Sequence, residues 1–174
     1  MNYFTLFDIP IKFKINKELL SKNFYKLQLQ SHPDLFINES DLTKTIALEK
    51  SIEINKGYKI LKNSLSRAIY LLSLYGFKLK TETILLKNNS FLKKYFSLYE
   101  DIDNLKKNNF NGKKVHFFLK KIEKKSKHYK TMMETEFENK NYEEIIPIIA
   151  KLLFFKKIKI NLKKEQDIYL RKTN

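Results

Sequence analysis

The chain has 174 residues, with 35 Lys and Arg against 19 Asp and Glu, for a formal net charge of +16. It has no cysteine, so disulfides, thiolate zinc sites, cysteine-ligated clusters and cysteine nucleophiles within the chain are excluded. Its three Gly and three Pro are too few for an all-β architecture that needs frequent turns.

In chain order, the first apolar segment runs from Tyr3 to Phe7 and is stopped by Pro10. It has neither a basic start nor a long apolar run, so no signal peptide is expected. Asn16 offers a cap for a helix from Lys17 to about Ser31. At roughly 100° per residue, Leu20, Phe24, Leu27 and Ser31 share one face, and Lys22, Lys26 and Leu29 lie opposite. Pro33 disfavours α geometry in the residue before it and so ends the helix. The polar stretch Asn38 to Asp41 supplies caps for a second helix to about Lys62, with Ala47, Ser51, Ile54, Tyr58 and Leu61 as its core stripe. Ser64 caps a third helix through Ser73, which Gly76 ends.

Residues 77–89 have no sustained period and read as a linker. Beyond it, Phe91, Tyr95, Leu98, Ile102 and Leu105 form a helical stripe. A long helix follows the Asn108–Gly112 turn, with Val115, Leu119, Ile122, Ser126, Tyr129, Met133 and Phe137 in register. Asn139 to Asn141 turn the chain into a last helix carrying Tyr142, Ile146, Ile149, Leu153 and Ile160 on one face, where Pro147 should kink the helix or displace its start. The greasy run from Ile145 to Phe155 is too short and too interrupted to cross a bilayer. The expected fold is all-α: residues 1–76 as a helical hairpin with short flanking helices, and residues 90–174 as an antiparallel three-helix bundle.

The charge is unevenly placed. Residues 1–76 carry 11 basic and 7 acidic side chains, and residues 77–174 carry 24 and 12. A basic chain invites a nucleic-acid reading, but only Arg67 and Arg171 supply the planar fork used to read bases. The lysines are spread along nearly every segment, and the abundance of Lys, Asn, Ile, Phe and Tyr follows A/T-rich codons. His116 and His128 stand twelve apart without a second ligand pair, so no metal site is expected. Glu100, Asp101 and Asp103 lack a partner His, and no phosphate-cradling glycine loop is present, so hydrolase or nucleotide chemistry is not supported.

The informative motif is His32-Pro33-Asp34 between two amphipathic helices. Downstream stand Ile54-Asn55-Lys56-Gly57-Tyr58-Lys59-Ile60-Leu61, then Arg67 and Tyr70. In this order the residues resemble a J-domain. More narrowly, Tyr3 to Phe7, Leu27 to Phe36, Arg67 to Phe77, Phe91-Leu92 and Lys151 to Phe154 make the whole chain similar to the HscB family, the J-type co-chaperones of iron–sulfur cluster assembly.

The resemblance implies a co-chaperone, itself no enzyme, whose loop and preceding helix dock on the ATPase domain of a DnaK-type chaperone such as HscA; the lack of Cys clusters and of a targeting segment suggests the bacterial cytosol, and with no phosphate-cradling motif no cofactor is expected. His32, Pro33, Asp34, Lys22, Lys26 and Leu29 are the residues expected to meet that chaperone. It also implies that the second half presents the cluster scaffold, IscU, as client. Family client contacts map onto Leu92, Phe96, Glu100 and Phe154, and Tyr99 joins Leu92 and Phe96 in a second apolar stripe beside the core one. Ser31 stands where the family usually has an aromatic residue and Leu35 where it usually has a basic one. Lys93, Ser97 and Asn104 depart from the usual apolar or acidic types at the client surface. The alternatives are a J-protein with a different client and a basic helical protein that binds nucleic acid.

Overall fold

The computed structural model describes residues 2–78, 80, 83–84 and 91–173, without the side chains of Pro33 and Leu92; most of the expected linker lies outside the described residues. Within them every element is helical. The chain forms two compact units, Met1–Phe77 and Lys78–Asn174.

In the first unit, α1 (Tyr3–Leu6) is held by the Asn2 side chain, which accepts from the Thr5 amide. It drives Phe4 and Phe7 into the core, where neither retains any exposure. Asn16 accepts from the Leu19 amide to start α2 (Lys17–Ser31), which leads through a 3-10 turn (Pro33–Phe36) and a short polar segment to α3 (Asp41–Lys62). Ser40 caps α3 by accepting from the Thr43 amide. The connection between the two helices thus runs from His32 to Ser40, as the proline and the polar stretch at 38–41 predict.

Helices α2 and α3 run antiparallel. Ser21 and Phe24, early in α2, meet Tyr58, late in α3, through a 3.2 Å hydroxyl contact and a stacked ring pair 4.0 Å apart. Ala47, Ser51, Ile54 and Leu61 are buried along α3 as the spacing predicts. Gly57 joins them for a different reason. A Cβ there would lie 2.5 Å from a ring carbon of Tyr3, so the bare backbone is what lets α1 rest on α3.

Helix α4 (Ser64–Leu74) is capped by Asn63, one residue earlier than expected, because its side chain accepts from both the Leu65 and Ser66 amides. Gly76 ends it at φ +91°, a left-handed backbone natural to glycine. Arg67 is 4 % exposed. Its Nε donates to the Phe13 carbonyl at 2.8 Å and its Nη1 to the Leu61 carbonyl, which ties the N-terminal segment to the end of α3. Burying a guanidinium is tolerable only with such partners.

The second unit contains a short α5 (Leu92–Tyr95), α6 (Ser97–Lys107), α7 (Gly112–Glu138) and α8 (Tyr142–Thr173), with α6, α7 and α8 packed as a three-helix bundle. Its core includes Tyr95, Leu98, Ile122, Phe155 and Ile158. Asn111 caps α7 through the Lys113 and Lys114 amides. Lys121 and Asp101 (2.8 Å) tie α6 to α7, and Lys106 and Glu165 (2.9 Å) tie α6 to α8.

Three expectations need correction here. Ile160 is 60 % exposed, and the buried face of α8 runs instead through Ile145, Ile149, Leu152, Phe155 and Ile158. The long helix is apolar over a wide arc, so the one-residue choice of face was settled by what α6 and α7 present to it. Pro147 does not displace the start, because α8 begins at Tyr142. The carbonyl it cannot serve is that of Glu143, an exposed first-turn residue within reach of water. On α7, Leu119 stays 36 % exposed and Phe118 takes the buried place beside Val115 and Ile122.

Candidate functional site

Two surfaces carry the residues singled out from the sequence, one in each unit. In the first, α2 stops at Ser31 because His32 turns to extended backbone (φ −66°, ψ 129°) ahead of the proline. His32 then caps the 3-10 turn. Its Nδ1 accepts from the Asp34 amide at 3.3 Å and lies 3.5 Å from the Asp34 carboxylate, with 55 % and 76 % of the two side chains exposed. The loop is thus ordered by its own backbone and side chains while both polar groups remain presented outward.

Lys22, Lys26 and Leu29 are exposed on the outer face of α2, as its periodicity requires, and Leu29 is 76 % exposed. The side chain of Pro33 lies outside the described residues. Leu35 and Ile37, each 62 % exposed, add apolar surface next to the loop. Sequence reading noted Leu35 only as a departure and passed over Ile37. Isolated apolar residues in a turn have no period to reveal that they face water. Beneath the loop, Ser31 is 2 % exposed, and neither its hydroxyl nor the buried amide nitrogen of Gln28 one turn earlier has a hydrogen-bond partner among the described residues.

In the second unit, Phe96 sits at the break between α5 and α6 and is 63 % exposed. Its ring lies 6.3 Å from that of Tyr99, which is half-buried. Tyr99 in turn lies 6.0 Å from Phe154, and Phe91 approaches Phe154 from the other side at 5.7 Å. Glu100 is exposed beside them. The side chain of Leu92 lies outside the described residues.

Phe154 requires a correction. At 3 % exposure it belongs to the bundle core and offers no surface of its own. It is the floor on which Phe91, Tyr95 and Tyr99 rest. Phe91 was missed as part of this patch because it fell in the core stripe by spacing, and only its position at the start of α5 leaves it half-buried.

Neither surface contains a catalytic constellation. Among the described residues no group of three or more His, Asp or Glu side chains is placed to hold a metal ion, and no helix is long and apolar enough to cross a membrane.

Comparison with known proteins agrees with this arrangement. The family model described as the HSCB C-terminal oligomerisation domain matches residues 87–163. The co-chaperone protein HscB of Buchnera aphidicola subsp. Acyrthosiphon pisum (strain Tuc7) is 62 % identical over 174 residues, the full length of both chains. The chaperone HscB from Vibrio cholerae superposes with a TM-score of 0.84 at 30 % identity, covering 95 % of this chain and 98 % of that one. The human co-chaperone HscB shares the fold, with a TM-score of 0.84 at 24 % identity over 95 % of this chain and 82 % of its own. With a full-length relative at this identity, and with the His-Pro-Asp loop and bundle in place, the chain belongs to the HscB family of J-type co-chaperones.

Proposed function

We propose that this co-chaperone stimulates ATP hydrolysis by a DnaK-type chaperone of the HscA kind and delivers to it the iron–sulfur scaffold protein, IscU, in the bacterial cytosol. The observation that carries the first half is the outward presentation of His32 and Asp34 on a self-capped turn, at the end of the helix face bearing Lys22, Lys26 and Leu29. Lysines on a solvated face steer towards an acidic chaperone surface. The apolar side chains Leu29, Leu35 and Ile37 supply contact area once docked. A partner able to pair with Asp34 would find its carboxylate accessible.

The second half of the reading rests on the exposed Phe96 beside Tyr99 and Glu100. Aromatic side chains on a rigid helix are effective interface anchors, because they lose little conformational freedom on binding. Holding chaperone and client on one chain raises the effective concentration of each for the other.

The test is steady-state ATP hydrolysis by the cognate chaperone with this protein and the scaffold, together and separately, repeated with His32→Gln. Synergistic stimulation abolished by the substitution is expected. Stimulation indifferent to the scaffold would remove the client assignment and keep the J-domain activity. The absence of any stimulation would overturn the chaperone assignment.

A further inference from the structure

On the bundle, α5 and α7 border an open concavity of about 540 Å³ lined by Lys94, Lys121, Lys124, Lys125, His128, Tyr95 and Tyr129. It is not part of the Phe96–Tyr99 patch. Lys125 Nζ stands 5.1 Å and Lys94 Nζ 5.9 Å from the centre of the Tyr95 ring, so two ammonium groups gather at one phenol. A third, Lys151, stands 4.9 Å from the Tyr129 ring. Of the lining lysines, Lys121 is neutralised by Asp101 at 2.8 Å. Lys94, Lys124 and Lys125 have no carboxylate at ion-pair distance among the described residues.

The floor of this site is a pair of phenols. The Tyr95 and Tyr129 hydroxyls lie 2.8 Å apart, and that bond uses one of their two protons. The other O–H has no acceptor among the described residues. Burial, reinforced by the neighbouring Tyr129, pushes the Tyr95 phenol well above the usual tyrosine value, so it stays protonated at any physiological pH. Its ring is only 4 % exposed, so the hydroxyl pair is held in a fixed place by the core. What lines the concavity is therefore ammonium groups, the two tyrosines and the His128 imidazole, and the Asp101 carboxylate is paired with Lys121.

We infer that this site binds a multivalent oxyanion of the phosphate type. Three uncompensated ammonium groups beside a free phenolic O–H call for a ligand that accepts hydrogen bonds and carries more than one negative charge. Lysine serves as a point-charge binder of phosphate, and the guanidinium fork that favours paired recognition of a carboxylate is absent here. The volume exceeds that of one phosphate group and suits a short chain of them. Neither the chaperone loop nor the aromatic patch enters into this, so the site stands or falls separately from the proposed co-chaperone activity.

The experiment is calorimetric titration of the full chain with inorganic tripolyphosphate at moderate ionic strength. It is repeated with Lys124→Ala/Lys125→Ala and with Lys163→Ala/Lys164→Ala, a pair of exposed lysines on α8 that removes the same charge outside the site. Saturable 1:1 binding is expected, weakened about tenfold or more by the first pair, as loss of charge-assisted bonds requires, and little changed by the second. Equal weakening by both pairs would show attraction to the general positive field and overturn the site. So would the absence of saturable binding, or a glutamate oligomer of matched charge binding more tightly than tripolyphosphate.

Discussion

Tyr99 lies edge-on against Phe154, ring centroids 6.0 Å apart, with the first half-buried and the second in the core. The two residues belong to helices α6 and α8, so the outer aromatic surface is registered on the bundle interior. Two aromatic substitutions should therefore have opposite consequences. Phe154→Ala removes a core ring and should destabilise the second unit by about 3–5 kcal/mol. Phe96→Ala, at an exposed position, should leave thermal unfolding nearly unchanged while weakening scaffold binding by about 1–2 kcal/mol. Calorimetric unfolding and scaffold titration of both variants check this. Equal binding loss from two well-folded variants would return Phe154 to the surface.

The buried Ser31 hydroxyl has no hydrogen-bond partner among the described residues. Replacing it with alanine removes an unsatisfied polar group and improves helix propensity at once, so Ser31→Ala should stabilise the first unit by about 1 kcal/mol. Urea unfolding is the check. A loss of stability would mean that the hydroxyl is satisfied in solution, by Gln28 or by water.

Gly57 lies where a Cβ would stand 2.5 Å from the Tyr3 ring. Helix propensity alone favours alanine by about 1 kcal/mol. The overpacking against a ring already in contact with Tyr70, at 4.9 Å, should cost more. A net destabilisation of about 1–2 kcal/mol is expected for Gly57→Ala. Combining it with Tyr3→Ala should recover the propensity gain, so the two changes should be strongly non-additive in a double-mutant cycle.

The Lys106–Glu165 pair links α6 to α8. The hydrogen bond from Lys106 holds the Glu165 carboxyl below the ordinary glutamate value, and the same bond raises Lys106. A depressed carboxyl contributes stability above its unfolded value, near pH 4.3, and loses it as the pH falls through the folded one. Lys106→Met should thus lower stability slightly at neutral pH and flatten the acid limb between about pH 5 and 3. Because the pair is exposed, the effect should shrink in high salt. Unfolding midpoints measured across that range, at two salt concentrations, provide the check.

Much of this protein was readable from local pattern. A helix buries whichever stripe recurs at its own period, so Leu20, Ala47, Ile54, Leu98 and Ile122 announced themselves as core. Caps act over two or three residues, so Asn16 could be placed from the sequence and the cap of α3, Ser40, lies within the polar stretch 38–41 that offered it. The His-Pro-Asp loop, too, is a contiguous motif, and the exposure of Lys22, Lys26 and Leu29 follows from their angle to the buried face of one helix. Tertiary structure decided what depends on partners distant in sequence. Phe154 became floor instead of surface because Phe91, at the start of α5, and Tyr99, on α6, close over it. Gly57 had to be glycine because Tyr3, more than fifty residues away, occupies the space beside it. The pairing of Tyr95 with Tyr129, and the lysines gathered around them, likewise arise only when α5 and α7 pack together. Periodicity states which face of a helix turns inward, and only packing determines which side chains then meet there.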